Sequence, residues 1–177
     1  MTHQIKTSNL LLRAFTATDL PKLVELANNI KIAQMFATMP YPYTMDDAQT
    51  WLAKLHADNS NYIFAVIHHG EGFIGRIGLY LKPTALPNLG YWIGQPFWGK
   101  GYASEAVSAL TIWAESQFNI KAIQADFFAD NPASGRVLSK AGFLRTGNTG
   151  MSYSLGRKTK AHHIDMVWLG ETSVGGR

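Results

Sequence analysis

The sequence predicts a single-domain α/β (α+β) protein in which helices flank a mixed, twisted sheet. The chain has 177 residues, of which 46% are hydrophobic and only 16% are charged, and this balance suits one domain with a sizeable core. Strand-like and helix-like segments alternate along it. A strand, a long amphipathic helix and another strand follow one another over residues 89–128, which indicates a crossover between parallel strands. We therefore expect residues 1–177 to form one domain.

Local patterns place the individual elements. Short apolar runs bounded by turn residues predict seven strands, at residues 9–15, 61–69, 73–81, 89–93, 122–128, 143–155 and 159–169. Apolar residues at three- and four-residue steps predict five helices, which begin at Asp19, Ile30, Met45, Ala103 and Pro132. The caps are predicted at Thr18, Thr44 and Asn131. Pro83 and Pro87 are predicted to bracket a loop.

Composition and charge exclude several classes of function. The chain has no cysteine, so it offers no thiolate nucleophile, disulfide or cysteine-ligated metal. The net charge of +4 suits an anionic cofactor. The sequence lacks the basic stripe that is typical of nucleic-acid binding. The first residues lack the apolar run of a secretory signal, and no stretch approaches the ~18 apolar residues of a membrane span. We expect a cytoplasmic protein that binds neither nucleic acid nor membrane.

The segment Gly94–Glu105 (GQPFWGKGYASE) joins a predicted strand to a helix N-terminus. The first N–H groups of a helix have no internal partner, and glycines let an anion approach them, so the segment predicts phosphate binding. A turn that merely connects two elements is the alternative. Gly94 to Lys100 also fits most of a P-loop, but Gly101 stands where a nucleotide hydrolase needs Ser or Thr to hold Mg²⁺. A Mg²⁺-dependent nucleotide hydrolase is therefore disfavoured.

The same segment resembles a known family. Trp98-x-x-Gly101-x-Ala103 is similar to the Gln/Arg-x-x-Gly-x-Gly/Ala motif of the GNAT superfamily of acyl-CoA-dependent N-acyltransferases. The resemblance extends over about residues 8–169 and points to the subgroup that contains the Rim-type ribosomal-protein N-terminal acetyltransferases. Three further segments resemble the family's fourth strand, its pyrophosphate loop with the third helix, and its second cofactor motif, at residues 89–94, 99–106 and 131–143.

The resemblance implies a fold and an activity. The sheet would have six or seven strands, with a V-shaped splay between the family's fourth and fifth strands, here residues 89–93 and 122–128. The enzyme would transfer an acetyl group from acetyl-CoA, its small-molecule acyl donor, to a primary amine by direct attack in a ternary complex, without a metal. The acceptor would be a protein N-terminal amine, such as that of a ribosomal protein, or a small-molecule amine. We expect a monomer or a homodimer.

Besides Trp98, which stands where the motif has Gln or Arg, two residues depart from the family pattern and leave an alternative open. Asn88 stands where many members carry Glu, and Leu138 stands where many carry a Tyr that acts as general acid. A CoA-binding sensor module that has lost turnover is therefore the alternative to an active enzyme.

The resemblance also implies the cofactor-binding residues. They are Tyr91, Trp92 and Ile93 beside the pantetheine, Trp98, Gly99, Lys100, Gly101, Tyr102, Ala103 and Ser104 around the pyrophosphate, and Asn131 and Ser134 at the pantetheine and the thiol. Ser134 and Asn131 are also the catalytic candidates, with Ser134 stabilising or protonating the departing thiolate. Their alternatives are an ordinary first-turn serine and a helix cap. Backbone N–H groups near Ile93 are expected to stabilise the developing oxyanion.

The general base and the acceptor pocket are less constrained. Four residues remain candidates for the base: Asp126, His162, His163 and Asp165. Adjacent strand residues point to opposite faces, so at most one of the two histidines reaches the cleft, and we take His163 as the candidate, with a surface or core histidine as the alternative. Tyr41 and Tyr43 either line the acceptor pocket or pack their proline-rich loop. The basic cluster at residues 157–160 is interpreted as a solvated turn.

Overall fold

A computed structural model describes residues 3–58 and 60–170, and within them one eight-stranded sheet is flanked by five α-helices. The strands are β1 (Ile5–Lys6), β2 (Leu10–Arg13), β3 (Asn61–His68), β4 (Gly72–Lys82), β5 (Ala85–Ile93), β6 (Ala122–Phe128), β7 (Leu144–Ser154) and β8 (Thr159–Leu169). The helices are α1 (Leu20–Ala27), α2 (Ile30–Ala33), α3 (Met45–Ala57), α4 (Tyr102–Phe118) and α5 (Pro132–Lys140). Short 3-10 turns cover Ala17–Asp19 and Gln95–Phe97.

The sheet runs in the order β1-β2-β3-β4-β5-β6-β8-β7. Neighbouring strands are antiparallel except for β5 and β6, which are parallel and are connected through α4. In the described part of the chain, the only register pair between these two strands joins Asn88 and Gln124. Beyond that pair the strands diverge, which confirms the splay and the mixed sheet. The eighth strand, one more than expected, is β1, which pairs with β2 through residues 5–6.

Helices cover both faces of the sheet. Arg76 of β4 lies over the ring of Trp51 from α3, at 5.3 Å from the ring centre, and α3 packs on α1. Ala65 of β3 is the register partner of Arg76, so its neighbour Phe64 points to the opposite face. There Phe64 meets Trp113 of α4, with ring centres 5.4 Å apart. We call these two sides the α1–α3 face and the α4–α5 face.

The helix that follows the glycine-rich segment, α4, is positioned on the sheet by its own apolar side chains. Its buried side chains recur at three- and four-residue steps and pack against the sheet; they are Ala106, Val107, Leu110, Thr111 and Ala114. The last turn ends at Asn119 in the left-handed conformation, with φ of 53°. The predicted helix is thus confirmed, with its start one residue earlier than expected. Its first turn is held at the cleft by this packing.

Several predicted boundaries differ from the structure. The first helical turn begins at Ala17 instead of Asp19, and its cap is Thr16 instead of Thr18, because the Asp19 carboxylate accepts the Thr16 N–H group at 2.8 Å. The second helix, α2, is shorter than expected and ends at Ala33. By contrast, the predicted caps at the start of α3 and α5 are confirmed.

The predicted loop around Pro87 was wrong, because β5 already begins at Ala85. The ladder between β4 and β5 is irregular between Tyr80 and Lys82. A proline has no N–H group to donate and is accommodated where a ladder is interrupted. This irregularity therefore lets Pro87 lie inside a strand.

An ion pair fixes the entry to α1. Arg13 donates to both carboxylate oxygens of Asp19, at 2.7 and 2.8 Å, and Asp19 is only 5% exposed. Burial raises the pKa of Asp19, but hydrogen bonds from Arg13 and Thr16 outweigh it and hold the pKa below the ordinary 3.8. The interaction therefore stabilises the ionised carboxylate.

Replacing Asp19 by Asn should lower the free energy of unfolding by about 3 kcal/mol at neutral pH, because the partly buried guanidinium of Arg13 would lose the buried carboxylate that it pairs with. The stabilisation is complete above the unfolded-state pKa and is lost as the pH falls through the lower folded-state value. Urea unfolding at neutral pH and at about pH 2 should show the difference shrinking in acid. As a control, Glu25→Gln breaks the exposed pair with Lys22 and should change stability by less than about 0.5 kcal/mol. Equal stability of wild type and Asp19→Asn at neutral pH would contradict the account.

Candidate active site

A cleft of about 690 Å³ lies where β5 and β6 diverge, a volume typical of small-molecule sites. Successive side chains of a strand point to opposite faces, yet Tyr91 and Trp92 both line this cleft. The cleft therefore passes the open edge of β5 and reaches both faces of the sheet.

The glycine-rich loop forms one wall of the cleft at the start of α4. Gly99 and Gly101 have φ angles of +76° and +86°, and a Cβ atom on either would meet nothing within 4 Å. The first helical hydrogen bond runs from Glu105 N–H to the Gly101 carbonyl, at 3.0 Å. The N–H groups of the three residues before Glu105 thus have no partner within the helix. An open loop with unpaired N–H groups at a positive dipole end is suited to an anion.

Trp98 holds this loop against the end of β5. Its indole Nε1–H donates to the Ile93 carbonyl at 2.6 Å, while the ring remains half-exposed and lines the cleft. Lys100 behaves differently from its neighbours because it does not line the cleft. Its Nζ atom lies 5.5 Å from the centre of the Phe97 ring. The rest of the predicted cofactor-binding residues line the cleft.

Two hydroxyl groups meet on the α4–α5 face of the cleft. The Tyr91 hydroxyl lies 2.8 Å from Ser134 Oγ and 3.3 Å from the Ser134 carbonyl. Burial raises the pKa of Tyr91 to about 12, although the hydrogen bond to Ser134 lowers it. Tyr91 is therefore protonated at neutral pH and available as a hydrogen-bond donor. Leu138, one turn beyond Ser134, is buried in the core.

Asn131 caps α5 and also lines the cleft. Its Oδ1 atom accepts the Ser134 N–H group at 3.3 Å, which fixes the orientation of the first turn. The cap therefore places Ser134 at the cleft wall. The Asn131 side-chain N–H groups are not used in this contact.

The α1–α3 face of the cleft has a different chemistry. Its side chains come from β4, β5, β6 and β7, from α2 and from the segment just after α2: Arg76, Tyr80, Asn88, Asp126, Phe128, Ser152, Lys31, Ile32 and Met35. They include cations on β4 and α2 and one carboxylate on β6. This face therefore carries charges of both signs around the opening.

Arg157 fixes this wall, and its interpretation as part of a solvated turn was wrong. It donates to both Asp130 carboxylate oxygens, at 2.6 and 2.8 Å, and its Nε–H donates to the Gln34 carbonyl at 2.7 Å. The hydrogen bonds from Arg157 to this carboxylate outweigh burial, which raises its pKa, and hold the pKa of Asp130 below its ordinary value. Arg157 thereby ties the β7–β8 hairpin to the end of α2.

A hydrogen-bonded chain leads away from the cleft through Ser152. The Ser152 Oγ atom lies 2.9 Å from His163 Nδ1, and His163 Nε2 lies 3.4 Å from Asp165 Oδ1. His163 itself does not line the cleft, whereas Ser152 and Asp126 do. His162 is exposed. Of the two histidines, His163 is the one connected to the cleft.

Sequence reasoning missed Arg76. Its Nε atom is buried without a hydrogen-bond partner, and no ion pair involves it within residues 3–58 and 60–170. The guanidinium faces both the cleft and a small adjoining cavity. An available signal was a single arginine in the otherwise apolar run Phe73–Leu81, since unpaired charges are rarely buried.

The two tyrosines predicted for the acceptor pocket do not line the main cleft. Tyr41 is exposed. Tyr43 is buried and lines the small cavity beside Arg76, together with Trp51 and Trp92. Burial raises the pKa of Tyr43 above its ordinary value. Tyr43 therefore belongs to the surroundings of Arg76.

Residues 3–58 and 60–170 contain neither a metal-binding cluster of side chains nor a helix suited to crossing a membrane. No group of three or more His, Asp or Glu side chains in that part of the chain is arranged to hold a metal ion. Likewise, none of its helices combines the length and the apolar character that crossing a membrane requires.

Comparison with known proteins identifies the fold and the family. Residues 9–144 match the model of the acetyltransferase (GNAT) domain. An uncharacterised N-acetyltransferase of Bacillus subtilis, YnaD, is 27% identical over 144 residues, which cover 81% of this chain and 84% of YnaD.

Two solved structures share the fold. Spermidine N-acetyltransferase from Vibrio cholerae, in complex with CoA and spermine, has a TM-score of 0.77 at 22% identity and covers 92% of this chain and 96% of its own. Ribosomal-protein-S5-alanine acetyltransferase from Vibrio fischeri has a TM-score of 0.76 at 21% identity. The match covers 96% of this chain and 97% of the Vibrio fischeri chain. The matched domain spans most of the chain and includes the splayed strands and the glycine-rich loop, so the chain belongs to the GNAT acetyltransferase family.

Proposed function

We propose that this protein transfers an acetyl group from acetyl-CoA to a primary amine, which attacks the thioester directly while both substrates are bound. The observation that carries the proposal is the open glycine loop at the start of α4, on the wall of a cleft that reaches both faces of the sheet. The donor would enter at this loop on the α4–α5 face. The amine would approach from the α1–α3 face.

The loop would hold the diphosphate of CoA with main-chain N–H groups. Gly99 and Gly101 turn the chain in the left-handed region, which exposes the N–H groups at the start of α4 to the same opening. The N–H groups of Trp98 to Ser104 are the proposed ligands, and the exposed Lys100 would add only a peripheral charge. Beside the loop, Tyr91 to Ile93 and Asn131 would contact the pantetheine.

The departing thiolate needs a proton, and two hydroxyl groups are placed to supply it. In the proposed reaction the amine nitrogen bonds to the carbonyl carbon, the carbon–sulfur bond breaks, and the sulfur leaves with the electron pair. Ser134 would donate its hydroxyl proton to the sulfur and take one from Tyr91, 2.8 Å away. Tyr91 regains its proton from solvent. Many family members are expected to use as general acid a tyrosine at the position of Leu138. In this protein Tyr91, on β5, would supply the proton instead.

The attacking amine must lose a proton, and the Ser152–His163 chain offers a route for it. Ser152 lines the cleft and contacts His163 at 2.9 Å, so a proton would pass from the amine to Ser152 as Ser152 gives its own to His163. Asp165 would stabilise the charged imidazole. Asp126, which lines the cleft directly, is the other candidate. Because orienting both substrates can itself supply ~7–11 kcal/mol, no single base has to supply the whole acceleration.

The direct test is release of free CoA when the protein is mixed with acetyl-CoA and a panel of primary amines. Gly101→Val should weaken CoA binding about 10- to 100-fold, because a β-branched residue cannot keep the left-handed turn and one amide hydrogen bond to phosphate is lost. Gly147→Val is the matched control, since Gly147 also has a positive φ (+87°) and open surroundings but does not line the cleft. Titration calorimetry with CoA measures both variants.

Equal loss of affinity in both glycine variants would contradict the proposed diphosphate site. Tight CoA binding without turnover on any amine would instead support the alternative, a CoA-binding sensor module. Asn88 and Leu138, which both line the cleft, are the features that permit this alternative.

The proton donor can be tested with hydroxyl deletions. Ser134→Ala should lower kcat about 100-fold and Tyr91→Phe about 10-fold, because Tyr91 acts through Ser134. The KM for acetyl-CoA should change by less than about 3-fold, since neither hydroxyl is assigned to ground-state binding. Tyr62→Phe, on β3 beside Trp113, is the control and should leave kcat unchanged. A normal kcat in Ser134→Ala would rule out this donor.

The proton acceptor can be tested on the adjacent histidines. His163→Asn should lower kcat about 10- to 100-fold at neutral pH, whereas the exposed His162→Asn should not. The loss should diminish as the pH rises, because the acceptor amine then arrives deprotonated. Steady-state kinetics from neutral to alkaline pH measures both variants. Equal kcat values for the two variants would mean that the hydrogen-bonded path through Ser152 carries no proton.

A further inference from the structure

Arg76 is a cation without an anionic partner among the described residues, and it lies at the opening through which the amine is proposed to enter. No hydrogen bond or ion pair joins it to another side chain in the described ranges, and its Nε atom is buried and unsatisfied. A buried N–H group without an acceptor is costly. Such a cost is offset when a ligand supplies the missing acceptor.

The surroundings of Arg76 hold the guanidinium in place without neutralising it. Its Cζ atom lies 5.3 Å from the centre of the Trp51 ring. Trp51 in turn packs edge-on against Phe15, with ring centres 4.8 Å apart. Stacking on a ring face leaves the in-plane N–H groups of an arginine free to donate. The small cavity that Arg76 shares with Tyr43 and Trp92 offers no carboxylate.

The charge distribution of the α1–α3 face indicates what would bind there. Arg76 lies on β4, and Asp126 lies on the far side of the splay, on β6; both line the cleft. Lys31 of α2 adds a second cation on the same side. An amine that also carries an acidic group would find an anion partner and a cation partner in one opening. A polyamine, which carries only positive charges, would meet the unpaired guanidinium instead.

We propose that Arg76 binds an acidic group of the acceptor, so that the acceptor class is a primary amine that carries a carboxylate or a phosphate near the nitrogen. This inference rests on the proposed acetyl transfer. Planar guanidinium groups bind either anion through two parallel hydrogen bonds. The bound anion would fix the acceptor while its nitrogen reaches the open edge of β5. Arg76 is therefore a specificity-determining residue.

The test uses matched pairs of amines that differ only in the acidic group. The probes are β-alanine and β-alaninamide, phosphoethanolamine and ethanolamine, and the tripeptides Ser-Asp-Ala and Ser-Asn-Ala with amidated C-termini, with spermidine as a cationic probe. We expect the wild type to prefer the acidic member of at least one pair by about 30-fold in kcat/KM. The responding pair distinguishes a small carboxylate, a phosphate and an acidic peptide as the source of the anion.

Three variants connect this preference to the residue. Arg76→Met should reduce the ratio within the responding pair to near one, while Arg76→Lys should keep part of it because the charge remains. Lys82→Met removes a cation from the exposed end of the same strand and should leave the ratio unchanged. Far-ultraviolet circular dichroism and thermal melting verify that each variant folds.

A binding measurement separates failure of this inference from failure of the proposed function. Titration calorimetry with the same probes, in the presence of CoA, needs no turnover. The inference would be supported, even if no acetyl transfer is detected, if the wild type binds an acidic probe more tightly than its neutral partner and Arg76→Met removes this difference. Transfer to neutral amines with equal efficiency, a preference for spermidine, or equal binding of acidic and neutral probes would overturn it while leaving acetyl transfer intact.

Discussion

The separation of β5 from β6 is the constraint on which the candidate site depends. Parallel strands in a sheet normally continue side by side, but these two share one register pair, between Asn88 and Gln124. The divergence leaves the open edge of β5 without a neighbour and creates a cleft between the two faces. Backbone groups along that edge are left for a ligand, since unpaired polar groups in a buried position are otherwise unfavourable.

The packing on each side of the sheet then assigns different chemistry to the two ends of the cleft. On one face, the 17-residue helix α4 presents its N-terminus to the cleft, and α5 brings Ser134 against Tyr91. On the other face, the contacts of Arg157 hold α2 against the last hairpin, and Arg76 and Asp126 provide charges of opposite sign. A donor and an acceptor that approach from opposite faces can meet in this opening without competing for the same residues.

The parts of this arrangement that depend on local sequence were predictable. The caps at Thr44 and Asn131 and the apolar stripe of α4 each specify a helix start or face within a few residues. The order of strands around residues 89–128 predicted the parallel crossover. Local reasoning was wrong at the first helical turn, where the Asp19 carboxylate accepts the N–H group of Thr16, three residues earlier, and makes Thr16 the cap.

The side-chain partners of the site required the tertiary structure. Tyr91 and Ser134 are separated by 43 residues in the chain, so no pattern indicated that their hydroxyls meet. Arg157 resembled a solvated residue in a basic turn, whereas its partners Asp130 and Gln34 come from distant segments. Arg76 was visible as an odd residue in an apolar strand, but its lack of a partner is a property of the packed fold.

A crystal structure of the complex with CoA is the most direct test of the central claim. The account predicts that the diphosphate lies within hydrogen-bond distance of the main-chain N–H groups of residues 98–104, with the sulfur near Ser134 in the opening between β5 and β6. A diphosphate bound elsewhere, or strands that close together with the loop unoccupied, would contradict it.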